Sequence, residues 1–281
     1  MTPTFSRYDS RSPIVDAHVH VGLDKYRSME QFEGDAQAHA VDRAILVQYM
    51  GNFDNTYLSS CVRRAPDRYV GIAIVDVSQP EAEADIDRVA SEGTFAGIRL
   101  EARTRSKGGD PYRLWRSIAD AGLVASVRGP LEDILDSSFT DLLNELPQLP
   151  VRLEHGAFFR FGEHTSTHLD ALLALSDRPR TYLMWSGYYD FSRLEYPHLD
   201  SHAFLRATLG AFGAGKIMWS GDWNRNDLDP GRPSNYFEQA LHYVENQLSF
   251  VQQRDIPKIM GTTSLGFIAE STCLAEGPND E

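Results

Sequence analysis

The chain has 281 residues, of which 42% are hydrophobic and 24% are charged, and its formal net charge is −13. This length suits one barrel domain of about 250 residues with short extensions, and it would also accommodate two smaller domains. An acidic chain without a cluster of lysine and arginine lacks the basic face by which proteins bind nucleic acid. No signal peptide and no apolar run of roughly 20 residues is evident, so we expect a cytoplasmic protein that does not enter the membrane.

Eight short runs rich in Val, Ile and Leu alternate along the chain with longer segments of helical composition. Each run has the length and composition of a buried strand. The predicted strands are Ile14–Val21, Ala44–Tyr49, Val70–Asp76, Ala96–Glu101, Leu123–Gly129, Val151–Gly156, Thr181–Gly187 and Lys216–Trp223. The predicted helices are Met29–His39, Glu81–Glu92, Pro111–Ala121, Asp133–Leu146, Leu169–Leu175, His202–Phe212 and Asn235–Arg254.

This alternation predicts a parallel sheet with helices outside it, and eight repeats favour a closed (β/α)8 TIM barrel. We therefore expect a single α/β barrel domain over residues 14–281, after an N-terminal extension of residues 1–13. A doubly wound open sheet is the alternative fold. It is disfavoured because no Gly-rich phosphate loop follows a predicted strand.

The first predicted strand carries two histidines, His18 and His20, separated by one residue. Because side chains alternate along a strand, both should face one side with Asp16 below them, and the residues between, Ala17 included, should face the other. Two imidazoles near the carboxyl end of a barrel strand can share a metal ion, a ligand or an oxyanion. The alternative is a pair of core histidines held by hydrogen bonds, which is costly unless both are satisfied.

Two further polar residues close predicted strands at the same end of the barrel. Asp222 follows Gly221 at the end of the eighth strand, which neighbours the first strand in a closed barrel. A carboxylate there can ligate a metal and take a proton from water, although an isolated Asp at this position could be a helix N-cap. His155 closes the sixth strand and is a third candidate histidine at the mouth, with a structural histidine as the alternative.

Three arginines lie at or after the ends of the fourth and fifth strands. Arg99 and Arg103 flank the end of the fourth strand, and Arg128 ends the fifth. A guanidinium group matches a carboxylate, so these residues are candidates for binding an acidic substrate. Ordinary pairing with Glu101 or Asp110 is the alternative.

Aromatic residues follow the seventh and eighth strands. Loops at this face of a barrel carry specificity, and the loop over residues 186–193 is rich in aromatic side chains. Tyr188 and Trp223 are candidates for the apolar wall of a pocket that binds a ring, and plain packing is the alternative.

The segments VDAHVHVG, GIRLE, RLEHG and WSGDW resemble the amidohydrolase superfamily, and in particular its amidohydrolase-related branch. That branch includes lactonases of aromatic-acid and sugar-acid breakdown and non-oxidative decarboxylases. The similarity runs from about Val15 to the segment Lys258–Ala269. It implies a distorted (β/α)8 barrel that catalyses hydrolysis or decarboxylation of a small molecule.

The resemblance also implies roles for individual residues. His18 and His20 match the first-strand metal ligands of the branch, and Asp222 matches the strand-eight residue that is both a possible ligand and the general base. His155 matches the strand-six histidine that polarises the substrate or orients the water. One divalent ion, zinc or manganese, is the implied cofactor, with Glu101 as a possible extra ligand.

The sequence departs from the family pattern at the end of the fifth strand, where decarboxylase-like members carry a metal-binding histidine and this chain has Arg128. The departure leaves three candidate ligands, which is enough for zinc with an open position, and it also leaves open a metal-free site, as is known within the lactonase group. Hydrolysis of a small cyclic ester is therefore the preferred hypothesis. A metal-dependent decarboxylase and a non-catalytic ligand-binding barrel are the alternatives, and an oligomer is compatible with either.

Overall fold

The computed structural model describes residues 12–224 and 235–272. Within them, eight parallel strands pair in chain order from β1 to β8 and alternate with helices. The last strand returns to the first through a parallel bridge between Val19 and Trp223, where His20 N donates to Trp223 O over 2.8 Å. The predicted (β/α)8 barrel is confirmed, and the open doubly wound sheet is wrong.

The elements follow the predicted order. The strands are β1 (Val15–Val19), β2 (Arg43–Val47), β3 (Tyr69–Ala73), β4 (Phe95–Glu101), β5 (Val124–Arg128), β6 (Val151–Leu153), β7 (Thr181–Trp185) and β8 (Ile217–Trp219). The α-helices are α1 (Met29–Ala38), α2 (Thr56–Arg64), α3 (Ala82–Ser91), α4 (Arg113–Asp120), α5 (Leu131–Leu135), α6 (Ser137–Glu145), α7 (Ser166–Ala174), α8 (Tyr188–Phe191), α9 (His202–Phe212), α10 (Tyr236–Asn246) and α11 (Thr263–Ala269). None of the helices in the described part of the chain is long and apolar enough to cross a membrane.

Some helix boundaries differ from the prediction. The predicted helix Asp133–Leu146 is divided at Asp136, where the backbone is extended. The side chain of Asp136 caps α6 by accepting a hydrogen bond from Ser138 N over 2.9 Å. The predicted helix Asn235–Arg254 ends at Asn246. Helix α2 was not predicted, although its buried residues, Leu58, Cys61 and Val62, have helical spacing.

The barrel interior is filled by one apolar side chain from most strands. Phe267 of α11 packs with this interior cluster, which includes Ala17, Ile45, Ile72, Val124, Met184 and Met218. Strict alternation along β1 was the wrong expectation, because Ala17 belongs to this cluster while His18, its neighbour, also lies in the interior. The register of β1 against β2 shifts between Asp16 and Val19, and such an irregularity lets two successive side chains occupy one side of a sheet.

Candidate active site

His18 and His20 lie at the carboxyl end of β1 with their Nε2 atoms 3.1 Å apart. Both are buried. His20 Nδ1 donates to the carbonyl oxygen of Val47 over 2.7 Å, which leaves a lone pair on its Nε2. The ring of Tyr26 stacks on His20 at 5.0 Å between ring centroids, so the orientation of this imidazole is held on two sides.

The surroundings of the three site histidines favour their neutral forms. Burial, reinforced by the imidazoles of His20 and His155, lowers the pKa of His18 well below its usual 6.5. Burial and the positive charge of Arg99 lower the pKa of His20 to about 4. Burial likewise lowers the pKa of His155. Neutral imidazoles are the form that accepts protons, ligates metals and donates a single hydrogen bond.

Asp222 lies beside this pair, as predicted from the neighbourhood of the first and eighth strands. Its backbone is left-handed, with φ +49°, and its amide donates to Ser220 Oγ over 2.8 Å. The hydroxyl of Tyr189 donates to Asp222 Oδ2. One carboxylate oxygen of Asp222 and one ring nitrogen each of His18 and His155 all lie within 4.8 Å of one another.

His155 reaches the same place through an unusual backbone. It and the three residues that follow, through Phe158, have φ values between +49° and +59°. Left-handed backbone is costly for residues other than glycine, and such conformations cluster at functional sites. The turn begins at His155, two residues after the end of β6 at Leu153. It allows the side chains of Glu154 and His155, which are consecutive in sequence, both to lie in the site. His155 Nδ1 lies 2.8 Å from Ser186 Oγ.

A buried ion pair lies beneath the histidines. Arg99 donates from Nε to Glu154 Oε1 over 2.9 Å and from Nη2 to Oε2 over 2.7 Å, and Ser126 Oγ donates to the same carboxylate over 2.6 Å. Burial alone would raise the pKa of Glu154, but Arg99 outweighs it and holds that pKa at about 2. Arg99 thus faces the barrel interior, and its fork is engaged with Glu154 and with the carbonyl oxygen of Gln48.

The other two arginines of the predicted mouth pair with Glu101. Arg103 Nε lies 2.9 Å from one oxygen of Glu101, and Arg128 Nη1 lies 3.7 Å from the other. The side chain of Arg128 is 31% exposed, and its guanidinium lies 5.7 Å from the ring of Phe158. Glu101 therefore has two cationic neighbours and is not part of the group that contains His18, His155 and Asp222.

Tyr188 and Trp223 are both buried among aromatic and apolar neighbours, and their role as the apolar wall of a pocket that binds a ring stays a prediction. Tyr188 is buried against Tyr243, with ring centroids 4.6 Å apart. Trp223 lies between the barrel and α1, where its Nε1 donates to Asp35 Oδ2 over 2.8 Å and its ring contacts Phe32.

Four polar residues that hold the site are not predicted from the sequence, namely Glu154, Ser186, Tyr189 and Ser220. Glu154 was visible as a charged residue directly before His155 in a buried strand. Ser186 and Tyr189 lie in the loop that was noted only for its aromatic content. Their partners are more than 30 residues away in sequence, so no local pattern identified them.

Comparison with known proteins identifies the family of this chain. The family model for amidohydrolases matches residues 15–264, so the chain belongs to the amidohydrolase family and is an enzyme of that superfamily. The resemblance inferred from the sequence is confirmed.

One relative in sequence and two solved structures show which members of the family this chain is similar to. The chain is 28% identical over 219 residues to a D-galactarolactone isomerase of Agrobacterium fabrum, covering 74% of this chain and 68% of that protein. The fold is similar to a Pseudomonas putida protein named as a 2-pyrone-4,6-dicarboxylic acid hydrolase, at a TM-score of 0.74, 19% identity and coverage of 92% and 98%. It is also similar to a zinc-bound amidohydrolase of Burkholderia multivorans, at a TM-score of 0.69, 19% identity and coverage of 92% and 99%.

Proposed function

We propose that this enzyme hydrolyses small lactones that carry a carboxylate group. The observation that carries the proposal is the convergence of His18, His155 and Asp222 within 4.8 Å at the carboxyl end of the barrel. A carboxylate beside neutral imidazoles is the combination that ester hydrolysis needs, since one group must accept a proton and others must polarise a carbonyl. The relatives named for lactone and pyrone chemistry support the choice of a cyclic ester.

The reaction can be written with these residues alone. Asp222 takes a proton from water while the water oxygen bonds to the lactone carbonyl carbon, and His155 polarises the carbonyl oxygen. The ring C–O bond of the tetrahedral intermediate then breaks, and Asp222 returns the proton to the leaving oxygen. The product is the open-chain hydroxy acid, and the enzyme is regenerated.

The donor set also fits one divalent metal ion. His18 and His20 are neutral and their Nε2 atoms face each other, and the carboxylate of Asp222 is close to His18. These three residues would hold zinc or manganese. A bound ion of this kind would polarise the carbonyl or lower the pKa of a bound water.

The mouth of the site suits an acidic substrate. Arg128 and Arg103 both retain exposed guanidinium surface, 31% and 69% of their side chains respectively, although each contacts Glu101. A substrate carboxylate would find charge-assisted donors there, and the ring of Phe158 lies beside Arg128. We propose a carboxylated ring as the substrate class. Decarboxylation stays the less favoured alternative because Arg128 occupies the position at which decarboxylase-like members carry a metal-binding histidine.

A lactone isomerase is a second candidate, favoured by the 28% identical relative of that name. In that case one of the substrate's own hydroxyl groups would attack the carbonyl in place of water, and the ring would re-form at another position. The same residues would serve, because both reactions transfer an acyl group between oxygens.

The test is a panel of sugar-acid and pyrone lactones with product analysis. Acid release measures hydrolysis, a new lactone measures isomerisation, and released CO2 measures decarboxylation. Asp222→Asn should lower turnover by roughly a thousandfold or more, whereas Asp87→Asn on the exposed face of α3 should not. Wild-type-like turnover of Asp222→Asn would overturn the assignment of the base.

Three further expectations stay predictions: a cytoplasmic location, a separate extension over residues 1–13, and no nucleic-acid partner. Residues 1–11 lie outside the described part of the chain. Among the described residues, Cys61 is a buried free thiol.

A further inference from the structure

We propose that Ser186 sets the tautomer of His155 and makes this histidine a hydrogen-bond donor through Nε2. Ser186 follows β7 directly and is buried, with 3% of its surface exposed. Its Oγ lies 2.8 Å from His155 Nδ1. Among the described residues this nitrogen is the one hydrogen-bond partner of the Ser186 side chain.

The chemistry of the two groups decides the direction of this hydrogen bond. A buried hydroxyl group that fails to donate its proton loses a hydrogen bond that water would have supplied. The acceptor within reach of Ser186 is the lone pair of His155 Nδ1. If Ser186 donates, Nδ1 carries no proton, and the neutral imidazole must carry its proton on Nε2.

Neighbouring side chains hold the ring of His155 in place. Its orientation is therefore set by packing, whereas the nitrogen that carries the proton is set by hydrogen bonding. The rings of Phe158 and Phe191 pack against it at centroid distances of 5.4 and 6.5 Å. Gly187 follows Ser186 with φ +72°, and a Cβ there would approach Phe191 at 2.8 Å and His155 Nδ1 at 3.4 Å. A larger residue at Gly187 would disturb the hydrogen bond between Ser186 Oγ and His155 Nδ1.

A proton on Nε2 would give His155 a different role from that of His18 and His20. A protonated Nε2 donates to the oxygen of a carbonyl group or an oxyanion and cannot at the same time coordinate a metal ion. His155 would then be the donor to the substrate, although one of its nitrogens lies within 4.8 Å of His18 and Asp222. This use of the donor rests on the proposed function, whereas the tautomer itself does not. Ser186 is thus a positioning residue that acts through His155.

The direct test is nitrogen-15 NMR of the protein labelled on its histidines, recorded after chelator treatment and again after zinc addition. The protonated and unprotonated nitrogens of a neutral imidazole have well-separated shifts, and a His155→Gln sample identifies the signals of His155. We expect a protonated Nε2 and an unprotonated Nδ1 in both states. A protonated Nδ1 in either state overturns the proposal, whatever the substrate of the enzyme proves to be.

Variants of Ser186 test the functional consequence. Ser186→Ala should lower kcat by roughly ten- to a hundredfold with little change in KM, and the proton of His155 should redistribute between its nitrogens. Ser186→Thr retains a hydroxyl and should keep the wild-type tautomer. Ser59→Ala, at a buried serine of α2 remote from the mouth, is the matched control and should leave kcat and the His155 signals unchanged. An unaltered His155 spectrum in Ser186→Ala would overturn the role of Ser186. If no lactone is turned over, the proposed function fails while the spectra still decide the tautomer.

Discussion

The Nε2 atoms of His18 and His20 face each other across 3.1 Å, while the other ring nitrogen of His20 is engaged with the backbone of β2. Two arrangements satisfy this contact. Either His18 Nε2–H donates a hydrogen bond to the lone pair of His20 Nε2, or both nitrogens present lone pairs to one cation. His18 Nδ1 is buried, has no hydrogen-bond partner among the described residues, and lies 3.9 Å from Glu154 Oε1. Metal analysis of the purified enzyme distinguishes the two arrangements.

We expect about one zinc or manganese ion per chain, with turnover lost on chelation and restored by the ion. His18→Asn should abolish the bound metal, whereas His242→Asn, at a partly exposed histidine of α10, should not. Elemental analysis of the variants measures the stoichiometry. Full turnover in thoroughly chelated enzyme would instead mean that the reaction needs no bound ion.

Removing the hydroxyl of Tyr189 should affect turnover more than folding. Its donation to Asp222 Oδ2 orients the proposed base, because a charge-assisted hydrogen bond fixes the direction in which the carboxylate presents its other oxygen. Tyr189→Phe should therefore lower kcat by roughly tenfold or more and leave the melting temperature close to that of the wild type. Tyr196→Phe, in the segment that follows α8, is the control. Equal kinetics for Tyr189→Phe and wild type would show that Asp222 is oriented without this contact.

Asp16 should make folding stability depend on pH. Burial raises its pKa from 3.8 to about 7, against the hydrogen bonds from His18 N and Ser220 Oγ. Between these two values the folded state holds a proton that the unfolded state has released, so the stability contributed by this group falls as pH rises from about 4 to 7.

Asp16→Asn removes this titration. Its free energy of unfolding relative to wild type should increase as pH rises, by up to roughly 4 kcal/mol, since one pKa unit corresponds to about 1.4 kcal/mol. Denaturant unfolding of both proteins at several pH values measures the difference. The histidines are the same in both proteins, so their contribution to the pH dependence cancels in the comparison. A difference that is constant with pH would contradict a raised pKa for Asp16.

The buried pair of Arg99 and Glu154 should respond strongly to loss of one partner. Arg99→Gln should lower the free energy of unfolding by about 3–5 kcal/mol, because the carboxylate of Glu154 would stay buried without its main counter-ion. Arg64→Gln, which breaks an exposed pair with Glu30, should change stability little. Similar denaturation midpoints for the two variants would mean that Glu154 is held well enough by Ser126 and by the charge of Arg152, a buried arginine of β6 that donates to Ser126 Oγ.

Arg128 should govern preference for acidic substrates. Arg128→Gln should raise KM roughly ten- to a hundredfold for a carboxylated lactone and leave KM unchanged for the corresponding methyl ester, which has no charge to pair. Arg88→Gln, on the exposed side of α3, is the control. Steady-state kinetics with both substrates measures the effect. An equal increase in KM for acid and ester would indicate a general distortion of the mouth.

The sequence by itself determined the barrel and the strand ends that carry His18, His20, His155 and Asp222. These features depend on local periodicity, since buried parallel strands are continuous apolar runs and their carboxyl ends meet at one face. The neighbourhood of Asp222 and the histidine pair followed from barrel closure alone.

The contacts that hold the site were decided by the tertiary structure. Arg99 and Glu154 are 55 residues apart in sequence, and Ser186 and His155 are 31 apart. The interior position of Ala17 depends on the register shift of β1 against its neighbour. The two partners of such an ion pair, hydrogen bond or strand pairing lie on different strands. The distance between them is set only when the whole barrel closes.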